Sequence, residues 1–289
     1  MSTLALDRPA ARSPARETFS RLLKNRSFVI GAAVVLTVLA IAVLAPLLAP
    51  YDPLRSNFRT RLQPPSAAFW FGTDHFGRDI LSRMIYGARI SLQIGAAVVV
   101  VTGVFGTLIG ALAGFFRALD NPIMRLMDAL MAFPAILLAM AIAAVMGASV
   151  VNVVIALSIA TTPHTARIVR GSVLVVREME FVEAARALGA SELRILFRHV
   201  LVNVMGPLIV RLTYVFAIAI LAEAALSYIG VGPPPPAPSF GNIIANGRDF
   251  MIGSPWITIF PGLAIMLAVL GLNLLGDGLR DVLDPRMRS

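Results

Sequence analysis

The sequence predicts an all-α, polytopic integral membrane protein with six transmembrane helices and both termini in the cytoplasm. Three observations predict it. Of the 289 residues, 57% are hydrophobic and only 14% charged, with a mean hydropathy of +0.81; no soluble globular domain of this size has that balance. Charge-free blocks recur at the roughly 20 residues a bilayer-crossing helix needs. The basic residues collect in alternate connecting segments, the asymmetry that fixes orientation in a membrane.

Taken in order, residues 1–26 form a basic N-terminal segment before a permease-sized membrane domain, 27–289. The first span covers about 28–50, where no charge interrupts FVIGAAVVLTVLAIAVLAPLLAP; the block is too long for a signal peptide. The second covers about 90–114. Within it Gly106 and Gly110 form a GxxxG pair, which either seats a neighbouring helix closely or is ordinary membrane-helix glycine. From Ala129 to Ala166 the chain again lacks charge, enough for two spans, with Gly147-Ala148-Ser149 as the turn between them. The third span therefore covers 122–146, with Arg125 and Asp128 in its first turns, and the fourth 150–166. A long polar loop, 167–206, precedes a fifth span at 207–229 and a sixth at 257–276. With the N-terminus inside, the inner segments carry most of the 25 lysines and arginines; the outer segments 51–89 and 230–256 carry six arginines and Arg248.

The formal charge of +9 is explained by arginines that meet anionic headgroups; without an aromatic-basic platform or recognition motif it does not indicate nucleic acid. There is no cysteine, so disulfides and thiolate chemistry are excluded. No GxxxxGK[ST] occurs, so the chain binds no ATP through a P-loop. No HExxH, GxSxG or paired-carboxylate constellation occurs either, which argues against a membrane enzyme and leaves no catalytic residue to name. Thr73-Asp74-His75 reads as a helix cap beside a surface histidine rather than a metal site.

The most informative stretch is the inner loop EAARALGASELRILFRHVLV, Glu183–Val202. Met179–Leu188 reads as a short helix. Gly189 then sits where a helix ends in the left-handed conformation that glycine adopts cheaply. Ser191 is placed to cap a second helix that runs through Leu193, Leu196, Phe197 and Val200. Ala184, Ala185 and Ala187 give the first helix a flat surface for a partner; the alternative is an amphipathic helix lying on headgroups.

Glu183-Ala184-Ala185, three residues and Gly189 resemble the EAA-x3-G loop of the membrane subunits of bacterial ABC importers. Three further segments are similar to the dipeptide/oligopeptide/nickel branch of those permeases: Phe71–Leu92, Leu226–Phe250 and Gly276–Arg288. The first and last are more similar to the second of the two permease subunits. The resemblance, from about Leu22 to Arg288, implies a MetI-like permease fold in the bacterial inner membrane. It implies a second permease subunit, two cytoplasmic ATPase subunits that bind ATP and Mg, and an extracytoplasmic solute-binding protein. No cofactor is implied on this chain. Glu183, Ala184, Ala185, Gly189, Ala190 and Ser191 would couple to the ATPase, and Asp74, Gly77, Arg78 and Asp79 would contact the binding protein. The family pattern ends the loop with Leu-Pro; here Val202 follows Leu201 and the nearest proline is Pro207, which bears on the bend at the loop's end. Di- or oligopeptides are the substrates this branch suggests, with nickel, glutathione and other small solutes as alternatives.

Two outer features complete the reading. Asp79 and Arg83 stand i,i+4 on a helix that lies on the membrane surface or caps the pore entrance, as a solvated salt pair. Pro233–Pro236 is a stiff spacer. Within the spans Glu223 is the conspicuous charge. A carboxylate there is costly against lipid, so it faces a cavity or the other subunit; it is either part of the solute pathway or a group close enough to the headgroups to be hydrated and paired with a partner-chain arginine. A competing reading, a secondary transporter or channel that works alone, expects several buried charged or broken-helix sites near the midplane.

Overall fold

The computed structural model describes residues 14–283; residues 1–13 and the end of the tail, with Arg286 and Arg288, lie outside them. Among the described residues the regular structure is helical, apart from one isolated bridge between Thr73 and Asp79. In chain order the α-helices are α1 (Pro14–Lys24), α2 (Arg26–Val43), α3 (Ala45–Leu48), α4 (Ile80–Phe115), α5 (Arg117–Met131) and α6 (Ala135–Met146). They continue with α7 (Val150–Val176), α8 (Glu180–Ala187), α9 (Glu192–Ile195), α10 (Leu201–Ile229), α11 (Phe240–Gly247) and α12 (Trp256–Leu283).

Local chemistry sets the helix starts. Asn25 caps α2 by accepting from the Phe28 N–H at 3.0 Å, and Asp79 caps α4 by accepting from the Ser82 N–H at 2.8 Å, each satisfying an orphan donor of the first turn. The cap at Asp79 makes the expected surface helix the beginning of the second span: α4 runs unbroken for 36 residues. Its glycines then seat it against α7. A Cβ on Gly106 would lie 2.8 Å from the Thr165 methyl, and one on Gly110 would strike the Ala166 carbonyl oxygen. The GxxxG pair is thus a helix contact.

The expected single span at 122–146 is two helices. α5 and α6 meet at an 85° bend. Pro134 stands at the break; it has no N–H to continue the ladder, and it drives Phe133 out of the helical region. Gly147, at φ +83°, ends α6, and the Asn152 amide donates to the Met146 and Gly147 carbonyls at 2.8 and 3.0 Å, which closes the turn expected at Gly147-Ala148-Ser149.

Among the described residues four helices qualify as membrane spans by length and composition: α2, α4, α10 together with α9 and the turn before it, and α12. The bent pair would be a fifth. α7 is long enough at 27 residues but falls outside that set because Asn152, His164, Arg167 and Arg170 lower its hydropathy. It is the central helix, with Val153, Ala156, Ala160, Val169 and Val173 buried. Two apolar clusters, each shared by α4, α7 and α10, lie towards opposite ends of the bundle.

Candidate functional site

The loop between α7 and α10 is shorter than the 167–206 expected, because α7 continues to Val176 and α10 begins at Leu201. Between them α8 lies across the end of the bundle. Val182 anchors it, fully buried among Val173 and Val176 of α7, Ile195, Leu196 and Val200. Ala185 packs partly against the same cluster, while Glu183 and Ala184 face out.

Gly189 ends α8 with φ +80°. Its N–H donates to the Arg186 carbonyl at 3.0 Å, and the Ala190 N–H donates to the Ala185 carbonyl at 3.1 Å. This is the Schellman pattern, which satisfies carbonyls the helix leaves orphaned. A Cβ on Gly189 would touch nothing; the glycine is required by its backbone angle alone. Ser191 stands at the N-cap of α9, but its side chain accepts no capping bond, contrary to expectation. The expected stripe of the second helix also divides: Leu196 and Val200 are buried, whereas Leu193 and Phe197 are 58% and 53% exposed.

Two features of this loop carry no signal in the local sequence. Arg186 grips Glu192 with two hydrogen bonds, Nε to Oε1 at 2.9 Å and Nη2 to Oε2 at 3.2 Å, so α8 and α9 are clamped across the glycine turn. Glu192 beneath holds the Arg186 guanidinium protonated, with its pKa raised by that hydrogen bond. Leu188 is 88% exposed, an apolar tip with Ala187 beside it. The segment Leu196–Val200 is a π-turn that runs directly into α10, and the whole of Glu192–Ile229 reads as one long helix. Without the Leu-Pro of the family pattern, no bend ends the loop.

At the other end of the bundle the four residues expected to meet a binding protein are interior. The Asp74 carboxylate is 1% exposed. It accepts from the Phe76 N–H at 2.8 Å, the Arg78 N–H at 2.9 Å and the Arg78 Nε at 2.7 Å. The Arg83 Nε lies 3.7 Å away. Asp74, rather than Asp79, is therefore the acid facing Arg83, and the pair is buried rather than solvated. Asp79 is committed to Ser82, whose hydroxyl donates to it at 2.6 Å. Gly77 has φ +72° and presses on the Asn57 carbonyl, leaving no room for a Cβ. These residues build the loop that precedes α4. What the loop exposes is Phe58, Trp70 and Phe76. His75 is not a surface histidine either: its ring lies tilted 4.0 Å from the Phe76 ring and stacks 5.2 Å from the Phe250 ring. Burial lowers its pKa, against the opposing pull of Asp74.

Glu223 faces neither a cavity nor a second subunit. It is fully buried. The Ser227 hydroxyl donates to it at 2.7 Å and that of Ser91 at 3.0 Å, and Ser239 bonds to it as well. The three serines come from α10, α4 and the cap of α11, so the carboxylate ties three elements together. Hydroxyl donors replace the water it would otherwise need.

The described helices form an apolar bundle that displays a structured polar loop at one end and seals buried charges inside. Residues 106–289 match the family described as binding-protein-dependent transport system inner membrane component, and residues 13–65 match the N-terminal TM domain of oligopeptide transport permease C; the chain belongs to the first family. A putative peptide transport system permease protein of Brucella abortus is 52% identical, over 96% of this chain and 94% of its own. A dipeptide transport system permease protein of Alkalihalophilus pseudofirmus is 46% identical over 98% and 93%. A glutathione transport system permease protein of Pectobacterium atrosepticum is 43% identical over 97% and 94%. The MetNI methionine ABC transporter, solved in an inward-facing conformation, superposes with a TM-score of 0.60 at 18% identity, over 70% of this chain and 97% of that one. That likeness shows the MetI-like fold.

Proposed function

We propose that this chain is one permease subunit of an ATP-driven peptide importer and that its α8–α9 loop is the surface on which a separate ATPase subunit docks. The observation that carries the reading is the exposed, glycine-terminated α8 carrying Glu183-Ala184-Ala185. It sits at the end of the bundle and is clamped to α9 by Arg186 and Glu192. Because Val182 is buried against α7 and the start of α10, a push on α8 moves both helices. Closure of two ATPases would thereby be transmitted to the spans and alternate their opening between the two sides.

In this reading α7 is a sixth span and α5–α6 a broken third, both termini are cytoplasmic, and α11 with the loops around it faces outwards. The partners are a second, similar permease, two ATPases that hold ATP and Mg, and an extracytoplasmic binding protein that delivers the solute to the outer end. The names of the relatives favour a peptide. Glutathione is itself a peptide, so a backbone that ends in a carboxylate is the chemistry common to them.

The test is reconstitution. The chain, its second permease and the ATPases are assembled in proteoliposomes with the binding protein and a radiolabelled dipeptide. Uptake that requires ATP, the ATPases and the binding protein supports the reading. Uptake by this chain alone, without an ATPase, would make it a stand-alone transporter.

A further inference from the structure

Arg211 lies inside a membrane-spanning helix with no acidic partner. It is ten residues into α10, so roughly 15 Å along it, and its Nε donates to the Thr165 hydroxyl of α7 at 3.4 Å. Thr165 is eleven residues before the inner end of α7, at the same depth by the same arithmetic. At 29 residues α10 is longer than a hydrocarbon core ~30 Å thick requires, so part of this length overhangs and Arg211 stands in the inner half of the span. Among the described residues no carboxylate pairs with Arg211; the neighbouring Arg167 is taken by Asp128 and Arg170 by Asp120. An uncompensated guanidinium at that depth is expensive and marks a pathway more often than a scaffold.

The geometry aims it. The Thr165 hydroxyl donates to the Thr161 carbonyl at 3.3 Å, so its lone pairs are turned to the arginine. Held by Nε, the fork leaves its two terminal nitrogens unbonded, and neither is among the buried unpaired atoms. His164, the residue before Thr165, is exposed and adds a second donor. Fork-shaped guanidinium groups take carboxylates in two parallel hydrogen bonds.

We propose that Arg211, seated on Thr165 and flanked by His164, is a contact in the inner half of the membrane for the carboxylate of the transported solute. This rests on the peptide reading above and assigns a residue to it. Three features favour the solute over lipid. α7 is less apolar than the helices that qualify as membrane spans. It carries Thr161, Thr162 and Thr165 around the contact. Pro163 in α7 and Pro207 in α10 interrupt both backbone ladders beside it, as at transporter sites built on irregular helices.

The experiment compares uptake of Ala-Ala and of its C-terminal amide by the reconstituted complex, each normalised to the binding protein's own affinity. The Arg211→Gln complex should lose Ala-Ala uptake by about tenfold or more, the worth of one charge-assisted bond. Uptake of the amide should change less than about twofold, and Arg211→Lys should recover much of the loss. A second readout does not need the amide to be delivered: with His164→Cys, labelling by a thiol reagent should slow when Ala-Ala saturates the working complex, and Arg211→Gln should abolish that protection. Unchanged Ala-Ala uptake, or absence of protection, overturns the assignment. Equal loss of both peptides with poor recovery of the second permease would show that Arg211 pairs with an acid on that subunit, and also overturns it. A wild-type complex that moves neither peptide but hydrolyses ATP defeats the peptide reading itself, and this assignment falls with it.

Discussion

Arg186 and Glu192 face each other across the Gly189 turn and share two hydrogen bonds, at 2.9 and 3.2 Å. The pair is exposed, so it adds little to stability. Its effect is mechanical: it joins α8 and α9 into one rigid block over the bundle end. Glu192→Gln should leave expression and insertion unchanged while lowering the ratio of solute moved to ATP hydrolysed by the assembled complex. An unchanged ratio would show that the clamp transmits nothing.

Gly189 should be more sensitive. A Cβ there meets no atom, so only the angle of +80° penalises a side chain, at about 1–2 kcal/mol for an ordinary L-residue. Gly189→Val should insert and assemble but lose most ATP-coupled uptake, and Gly189→Asn should be milder, since asparagine tolerates the left-handed region. Equal activity of both with wild type would remove the turn from the coupling path.

Glu223 is predicted to hold the outer end together without touching solute. Glu223→Leu would leave buried hydroxyls on Ser91, Ser227 and Ser239 short of a partner, at roughly 1–3 kcal/mol for each group left unsatisfied. The detergent-solubilised complex should therefore melt earlier. Glu223→Gln should melt closer to wild type and keep the ratio of cationic to neutral dipeptide uptake. A changed ratio would mean that the solute reaches this carboxylate after all.

Asp74 is predicted to be indispensable to the outer loop. Asp74→Asn removes the charge facing the buried Arg78 and Arg83 guanidinium groups, and breaking a buried pair costs about 3–5 kcal/mol. Limited proteolysis from the outer side should then cut within residues 51–79. Resistance equal to wild type would show that backbone packing alone holds the loop.

Orientation is checked with single cysteines, since the chain has none of its own. Ser66→Cys and Ile252→Cys, both exposed, should react with an impermeant thiol reagent on spheroplasts, and Ser191→Cys should not. Ser239 would be an unsuitable site, because it is fully buried as the cap of α11. The reverse pattern of labelling would invert the topology.

Much of this was legible in the sequence because it depends on local rules. Apolar blocks mark α2, α4, α10 and α12, and Gly189 marks the end of α8. What was not legible depends on packing. The bend between α5 and α6 sits at Pro134, inside an apolar run where a proline alone does not distinguish a tolerated kink from a break. Asp79 and Arg83 stand at helical spacing, yet the folded loop brings Asp74 to Arg83 instead. Ser227 stands at i,i+4 helical spacing from Glu223, but nothing in the sequence points to Ser91, 132 positions away.

The account stands or falls on whether α8 meets an ATPase. Leu188, at the exposed tip of α8, offers the most direct measurement: a single cysteine placed there by Leu188→Cys, in a complex whose ATPase subunits carry one cysteine each on their membrane-facing surface. Disulfide cross-linking should join this chain to an ATPase subunit, change in yield between nucleotide-free and ATP-bound states, and vanish with a cysteine at Ile252. If the cysteine at 188 never cross-links in the assembled complex and stays fully reactive to a bulky thiol reagent there, the loop is not the docking surface and the coupling assignment is wrong.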